Sequence, residues 1–395
     1  MKVLVVHNAY QQRGGEEAVV EAETRLLETY GHPVVRYQRH NDELLTRGKL
    51  AGIGAAVATV WSSRSFHETE RLIKETRPDV AHFHNTFPLI SPSAYYACAR
   101  AKVAVVQTLH NYRLLCPAAK LLRDGKVCEE CLGRATAWPA VVHGCYRGSR
   151  SATAAATGML AVHRWMGSWR HKVDAYIALS EFARMKFIEG GLPAERIVVK
   201  PNFVPGDVAS RTRPGNYVLF VGRISEEKGP QVLLSAWRDL GANIPLRIAG
   251  DGALLEWLSR EIRACPLPHV ELLGNCTSEE VRALMRGARF LVFPSVWYEG
   301  FPMTVAEAFA SGLPVVASRL GSLSEIVQPD VTGIHFEPGN PVDLAAKVQW
   351  AWDHPEEMAR MGRAARTEYE GKYRAAANYA MLTDIYRAAM ARQAH

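Results

Sequence analysis

Apolar residues in this 395-residue chain follow two rhythms. Short β-branched runs, KVLVVH, HPVVRY, DVAHFH, VAVVQTL and AYIALS, then YVLFVG, LRIAG, VELLG, RFLVF and PVVAS, alternate with longer stretches of helix-like spacing. That alternation predicts parallel sheets wrapped by helices. The pattern occurs twice and lapses between the two halves in IVVKPNFVPGDVASRTRPGN, residues 197–216, where Pro and Gly cluster. After TGIHFEPGNP only helical patterns follow: PVDLAAKVQWAWDH, PEEMARMGRAARTEYEGKY and RAAANYAMLTDIYRAAMARQ. The expected fold is α/β, with doubly wound domains over residues 1–200 and 201–371 and a closing helix over 372–395. A ligand is expected in the cleft between two such domains, at the carboxyl ends of their strands.

Composition adds little to this picture: 48% hydrophobic and 22% charged residues is ordinary for a soluble globular protein. Charge adds more. Residues 1–200 hold 27 Lys and Arg against 18 Asp and Glu, and the remainder 20 against 22, so the net +7 resides in the first half. Such a half attracts anionic headgroups or an acidic substrate, or merely aids solubility. The opening MKVLVVHNAYQQ lacks the features of a signal peptide, and the longest uncharged apolar stretch, AGIGAAVATVW, is too short at 11 residues to cross a bilayer. The expected compartment is the cytoplasm, where the seven cysteines would stay reduced and close spacing favours metal over disulfides.

Candidate chemistry concentrates in the second half. In YVLFVGRISEEKG a strand leads into Gly222, Arg223, Lys228 and Gly229. A glycine that permits close approach, a guanidinium fork and an ammonium point charge suit a diphosphate. The alternative is a solvated loop in which Glu226 and Glu227 neutralise both cations. In WYEGFPMTVAEAFASGLPVVAS, a helix is expected to start near Pro302, leaving the N–H groups of Met303 and Thr304 as an anion site. Glu299 and Glu307 flank that site. Two carboxylates beside an anion need a ligand that also offers hydroxyls, and a sugar diol does so.

In the first half, Gly14 and Gly15 of HNAYQQRGGEE form a candidate phosphate-approach loop, or simply a tight turn. His110 and Asn111 end the strand VAVVQTL, where site residues belong. There is no D-x-D triplet to hold a metal-bound diphosphate, and GxSxG, HExxH and GxxxxGK[ST] are absent too.

With these residues in view, the chain resembles the family 4 retaining glycosyltransferases nearly end to end. The marks are Gly14-Gly15, His110, SEF at 180–182, KPNFV at 200–204, GRISEEKG, IAGDG at 248–252, LLGN at 272–275 and E-x7-E at Glu299 and Glu307. The resemblance implies the GT-B fold, two facing Rossmann-like domains with the last helix crossing back to the first. It implies that Arg223 and Lys228 hold the donor diphosphate and Glu307 the nucleotide ribose. Glu299 and the backbone of Gly300, Phe301, Pro302, Met303 and Thr304 would meet the donor sugar and its phosphates. The backbone near Asn275 and Cys276 would lie against the base, Gly15 against the diphosphate, and His110 would face the sugar. The implied reaction is metal-independent transfer from a nucleotide-diphosphate sugar to a glycan or lipid-linked acceptor, with retention through an oxocarbenium-like ion pair. His110, Glu299, Arg223 and Lys228 would carry it. No nucleic-acid partner is expected. The rivals are a GT-B-fold nucleotide-sugar epimerase and a non-catalytic, zinc-bearing nucleotide-sugar scaffold.

One stretch departs from the family pattern. Residues 116–145 place Cys116, Cys128, Cys131 and Cys145 at C-x11-C-x2-C-x13-C, the spacing of a closed four-thiolate zinc site, with His143 as a substitute ligand. Unligated thiols or a disulfide pair are the alternative. The surrounding segment 101–172 holds 11 basic residues against 3 acidic ones, which suggests that it shapes acceptor binding or rests on the anionic inner face of the membrane.

Overall fold

The computed structural model describes residues 1–11, 14–44, 57–211, 213, 215–265 and 267–394. Gln12 and Arg13 of the glycine loop, and most of AGIGAAVATVW, lie outside the described residues. The structure divides into two units. One comprises 1–121, 128–202 and 376–395, the other 122–127 and 203–375.

In the first unit the apolar runs form β1 (Val3–Ala9), β2 (Val34–His40), β3 (Val80–Asn85), β4 (Ala104–Leu109), β7 (Ala175–Ala178) and β8 (Ile197–Val199). They make one parallel sheet in the order β2-β1-β3-β4-β7-β8. Every residue of β1, β3 and β4 is buried, whereas β2 at the edge mixes buried and exposed positions. That contrast is expected of a parallel sheet covered on both faces. Val3 stands opposite both Val34 and Val80, so the strands share a level and their following loops emerge at one end. The helix Ala375–Gln393 buries Leu382, Tyr386 and Ala389, and Tyr379 stacks on Tyr30 with ring centroids 3.7 Å apart.

The second unit contains the short hairpin of β5 (Leu122–Arg123) and β6 (Lys126–Val127). Its main sheet comprises β9 (Val218–Val221), β10 (Leu246–Ala249), β11 (Val270–Gly274), β12 (Phe290–Phe293), β13 (Val315–Ser318) and β14 (Gly333–Phe336). The order is β11-β10-β9-β12-β13-β14, again parallel throughout. Alternate side chains serve opposite faces, as a period of two demands. Val218 and Phe220 join one apolar core with Trp237 and Leu344, while Leu219 joins the other with Phe309 and Leu313.

One glycine fixes the mouth of this sheet. Gly250 adopts φ +147°, and a Cβ there would lie 1.9 Å from the carbonyl oxygen of Gly222. Gly250 is thus a residue whose missing side chain lets the two loops pack, whereas a Cβ on Gly222 would meet only the Phe220 ring at 3.8 Å among the described residues. Among the described residues no helix is long and apolar enough to cross a membrane.

Candidate functional site

In the second unit, Gly229 (φ +68°) brings the end of the GRISEEKG loop against Pro294, since a Cβ there would fall 2.0 Å from the Pro294 carbonyl oxygen. This contact places Lys228 beside the segment after β12. Lys228 Nζ donates to Glu299 Oε1 at 2.8 Å, and Ser295 Oγ and Trp297 Nε1 donate to the same oxygen at 2.8 Å. Ser322 Oγ donates to the Glu299 carbonyl at 2.9 Å. Glu299 is buried, and Lys228 is partly exposed. Lys228 forms an ion pair with Glu299. Arg223 is exposed at the mouth of the loop.

The helix expected from Pro302 spans Met303–Ala310, with Pro302 outside it as the N-cap at ψ 88°. Among the described residues no side chain caps the helix, and its first backbone bonds run from Val305 and Ala306 to the Pro302 carbonyl. The N–H groups of Met303 and Thr304 are therefore left to an outside acceptor, and the helix dipole favours an anion there. Gly300 and Phe301 lead into this turn, with the Phe301 ring edge-on to Tyr373 at 5.7 Å. Glu307 sits within the helix, half-buried, and burial pushes its carboxyl up to about 7 against the opposing pull of Arg282. Asn275 is exposed and Cys276 half-exposed after β11, in the turn where Thr277 and Glu280 form a capping box for the helix Ser278–Gly287.

In the first unit, Gly14 is the N-cap of the helix Gly15–Thr29. Glu17 sews the loop shut by accepting from Gly14 N at 2.8 Å and Tyr10 N at 3.0 Å. Gly14 has φ −132°, and a Cβ on Gly15 would meet nothing within 4 Å among the described residues. Backbone strain therefore does not require Gly14, and packing among the described residues does not require Gly15, which leaves room beside it for an outside group. Behind it, burial pushes Glu16 up to about 8, opposed by the Asn111 amide 3.2 Å from Glu16 Oε2.

His110 reaches partial exposure at the end of β4, and its Nε2 lies 2.9 Å from His84 Nδ1. Behind His84 is a buried group that sequence reasoning missed. His82 Nδ1 lies 2.7 Å from Tyr386 Oη and its Nε2 2.8 Å from Thr108 Oγ1. Lys200 Nζ donates to Glu23 Oε1 at 2.5 Å and to Asn378 Oδ1 at 3.1 Å. The signals were there in the H-x-H of DVAHFH and the lysine of KPNFV, but neither residue type in a buried strand announces a partner.

Glu23, His82 and His84 place ligand atoms within 4.8 Å of one another, a spacing that would admit a metal ion. The chemistry does not suit one. Both nitrogens of His82 are engaged, and the Lys200 ammonium already occupies the cation position on Glu23.

None of the four cysteines of the 116–145 stretch is joined in a disulfide among the described residues. They lie in the first unit, whereas the hairpin between Cys116 and Cys128 belongs to the second. Cys131 is packed with Ala137, Ala140 and Cys145, and burial pushes its thiol up to about 11, with Cys116, Cys145 and Cys128 close enough to add to the shift. Among the described residues the four sulfurs are not a set within 4.8 Å of one another, whereas a tetrahedral zinc site needs sulfurs about 3.8 Å apart. His143 Nε2 lies 3.7 Å from Glu130 Oε2.

Two six-stranded, parallel, Rossmann-like units define an α/β protein of the GT-B type. Two family models match the chain, Glycosyltransferase Family 4 over residues 13–207 and Glycosyl transferases group 1 over 209–368, and the chain belongs to the family 4 glycosyltransferases. An uncharacterized glycosyltransferase of Methanocaldococcus jannaschii is 32% identical over 200 residues, 51% of this chain and 55% of that protein. The chain thus spans about half the length of this curated relative. Among solved structures, sucrose-phosphate synthase from Thermosynechococcus elongatus aligns with TM-score 0.74 at 15% identity, covering 99% of each chain. Anabaena HepE, solved in complex with UDP, aligns with TM-score 0.67 at 18% identity over 97% of this chain and 99% of that one. At these identities the two structures speak for the fold alone.

Proposed function

We propose that the protein transfers a sugar, with retention of anomeric configuration, from a nucleotide-diphosphate sugar to a glycan or lipid-linked acceptor in surface polysaccharide synthesis. The observation that carries this reading is the Lys228–Glu299 pair, set just ahead of the uncapped start of Met303–Ala310. Lys228, exposed Arg223 and the free helix N–H groups supply positive potential for a departing diphosphate, and preorganised charge of this kind is often the largest catalytic contribution. Glu307, half-buried in the same helix, suits the ribose hydroxyls. With the leaving phosphate accepting the proton of the attacking hydroxyl, neither a protein nucleophile nor a metal is required.

The decisive experiment supplies candidate nucleotide sugars with and without acceptor and follows nucleotide release and the anomeric configuration of the product. Release that depends on acceptor, with configuration kept, supports transfer. Isomerised donor without acceptor would establish the epimerase instead. A thermal-shift screen selects the donor beforehand, since a ligand at 100 times its Kd adds about 2.7 kcal/mol of apparent stability. If cell-surface glycan is unaffected by both Glu299→Gln and Arg223→Ala, the enzyme reading fails and the protein is a binding scaffold.

Two finer elements belong to the same reading. We propose that zinc, when bound, draws together Cys116, Cys128, Cys131 and Cys145 in a closed structural role, which the spacing and the proximity of the other three to Cys131 support. Metal analysis of the purified protein tests it, and a preparation without zinc refutes it. We also propose contact with anionic membrane through the basic segment. Its support is a cluster of exposed side chains, Trp138 and Val142 on one short helix and Trp165 and Met166 at the end of the helix packed beside it. Arg134 lies over the Trp138 ring at 5.9 Å, and Arg164 donates to the carbonyls of Arg134 and Ala135. Indole rings bordered by guanidinium groups suit a headgroup layer.

A further inference from the structure

The contact between His84 and His110 has a chemical consequence. Two imidazole nitrogens 2.9 Å apart share one proton, so one ring must donate and the other accept. Burial holds both histidines well below the ordinary value, so both are neutral near pH 7 and each carries a single proton. The direction of the shared bond is then set by whatever faces the far nitrogen of the buried ring.

That nitrogen, His84 Nε2, is buried and has no hydrogen-bond partner among the described residues, and neither has Glu23 Oε2, which lies 3.9 Å from it. The other carboxylate oxygen is held by Lys200, itself completely buried. If His84 Nε2 carried a lone pair, that lone pair would face a buried carboxylate oxygen, a repulsive pairing with no donor nearby to relieve it. With the proton on Nε2 the same contact is attractive, and in a low-dielectric interior that difference decides the tautomer. The remaining rings against His84 do not compete. His82, 4.1 Å away centroid to centroid, has both nitrogens engaged, and His7 lies edge-on at 6.4 Å.

We propose that Lys200 and Glu23 act through His84 as positioning residues that lock His110 in the Nε2–H tautomer, so that His110 presents Nδ1 to the substrate as a hydrogen-bond acceptor. Nδ1 then accepts from a substrate hydroxyl. His110 does not donate to a phosphate oxygen. The identity of that hydroxyl rests on the transfer reading, but the tautomer does not. It also gives a role to Lys200 of the KPNFV motif, which no part of the transfer chemistry uses.

The test is nitrogen-15 NMR of the imidazoles in the full chain without substrate, with His110 signals assigned by their loss in His110→Ala. Two-bond couplings distinguish the tautomers. The expected wild-type spectrum shows His110 protonated on Nε2 and unprotonated on Nδ1. Protonation on Nδ1 overturns the proposal whether or not any variant folds.

Glu23→Gln provides the second arm. Lys200 retains the amide oxygen of the new side chain, which turns the NH₂ toward His84 Nε2. That nitrogen becomes an acceptor, the His84 proton moves to Nδ1, and His110 must carry its proton on Nδ1. The expected result is a reversed His110 tautomer and turnover reduced about tenfold, the loss of one hydrogen bond at the reacting sugar. An unchanged tautomer in folded Glu23→Gln refutes the relay. A reversed tautomer with unchanged turnover refutes the role of Nδ1 toward substrate. Failure of the transfer reading would instead appear as wild-type protein that releases no nucleotide in response to acceptor, with the His110 tautomer unaffected by that outcome.

Discussion

Lys228 Nζ and Glu299 Oε1 are 2.8 Å apart, and that one carboxylate oxygen also accepts from Ser295 and Trp297. An oxygen with three donors is held in place, and the ammonium is aimed by the same contact. The arrangement lets Glu299 orient the lysine and, on the proposed transfer reading, the sugar as well. Glu299→Gln removes the charge and frees Lys228 while leaving the backbone turn intact through Ser322. The expected outcome is a fall in kcat of about 10²–10³ with nucleotide affinity nearly unchanged. Steady-state kinetics together with calorimetric titration of the nucleotide would check this, and a loss confined to KM would remove Glu299 from the reaction.

Glu307 should behave differently because of its environment. Its carboxyl titrates at about 7, raised mainly by burial, so the native state holds a proton that the unfolded chain has already released between about 4.5 and 7. Stability contributed by the protonated group therefore falls as pH rises through that window. Binding has the opposite sign: only the carboxylate can accept from both hydroxyls of a ribose, so nucleotide affinity should rise as pH passes through about 7. Titrations from pH 5.5 to 8.5 should show this rise in wild type and its absence in Glu307→Gln, with kcat largely kept. Equal slopes in the two proteins would place the ribose elsewhere.

The buried ion pair allows a stability prediction. Lys200 is completely buried between Glu23 and Asn378, and Lys200→Met leaves the Glu23 carboxylate without its cation in the interior. Breaking a buried pair in this way costs about 3–5 kcal/mol. Denaturant unfolding should show a loss of that size in Lys200→Met and a smaller one in the double variant Lys200→Met/Glu23→Leu, in which no charge is stranded. A double variant as unstable as the single one would mean that packing, and not charge, sets the cost.

What the sequence made legible divides along physical lines. The strands were readable because a sheet covered on both faces demands continuous apolar runs, and β1, β3 and β4 are buried at every position. The start of the helix after β12 was readable from Pro302, with an error of one residue because Pro302 takes ψ 88° and stays outside. The pairing of Lys228 with Glu299 was not readable, since it depends on Gly229 packing against Pro294 across 65 residues of chain. The Glu23–His84–His110 chain was hidden for the same reason: its members come from a helix and two strands, and only the register of β3 against β4 aligns them.

The surface formed by Trp138, Val142 and Trp165 leads to the last prediction. Trp165 is 88% exposed, an unusual state for an indole, and Arg134, Arg147, Arg150 and Arg164 lie in the same stretch of chain. Burying one indole in a headgroup layer contributes about 1.5–3 kcal/mol, and each nearby arginine about 1 kcal/mol on an anionic surface. Trp165→Ser should therefore weaken flotation with phosphatidylglycerol vesicles about tenfold or more, and the triple charge reversal of Arg134, Arg147 and Arg150 to Glu should abolish it. Vesicles of phosphatidylcholine alone should bind wild type weakly, because the arginines have no anionic partner there. Raising salt separates the two contributions, since it screens the arginines while leaving the indole's contribution in place. If Trp165→Ser and the charge reversal both float like wild type, the patch does not serve a bilayer.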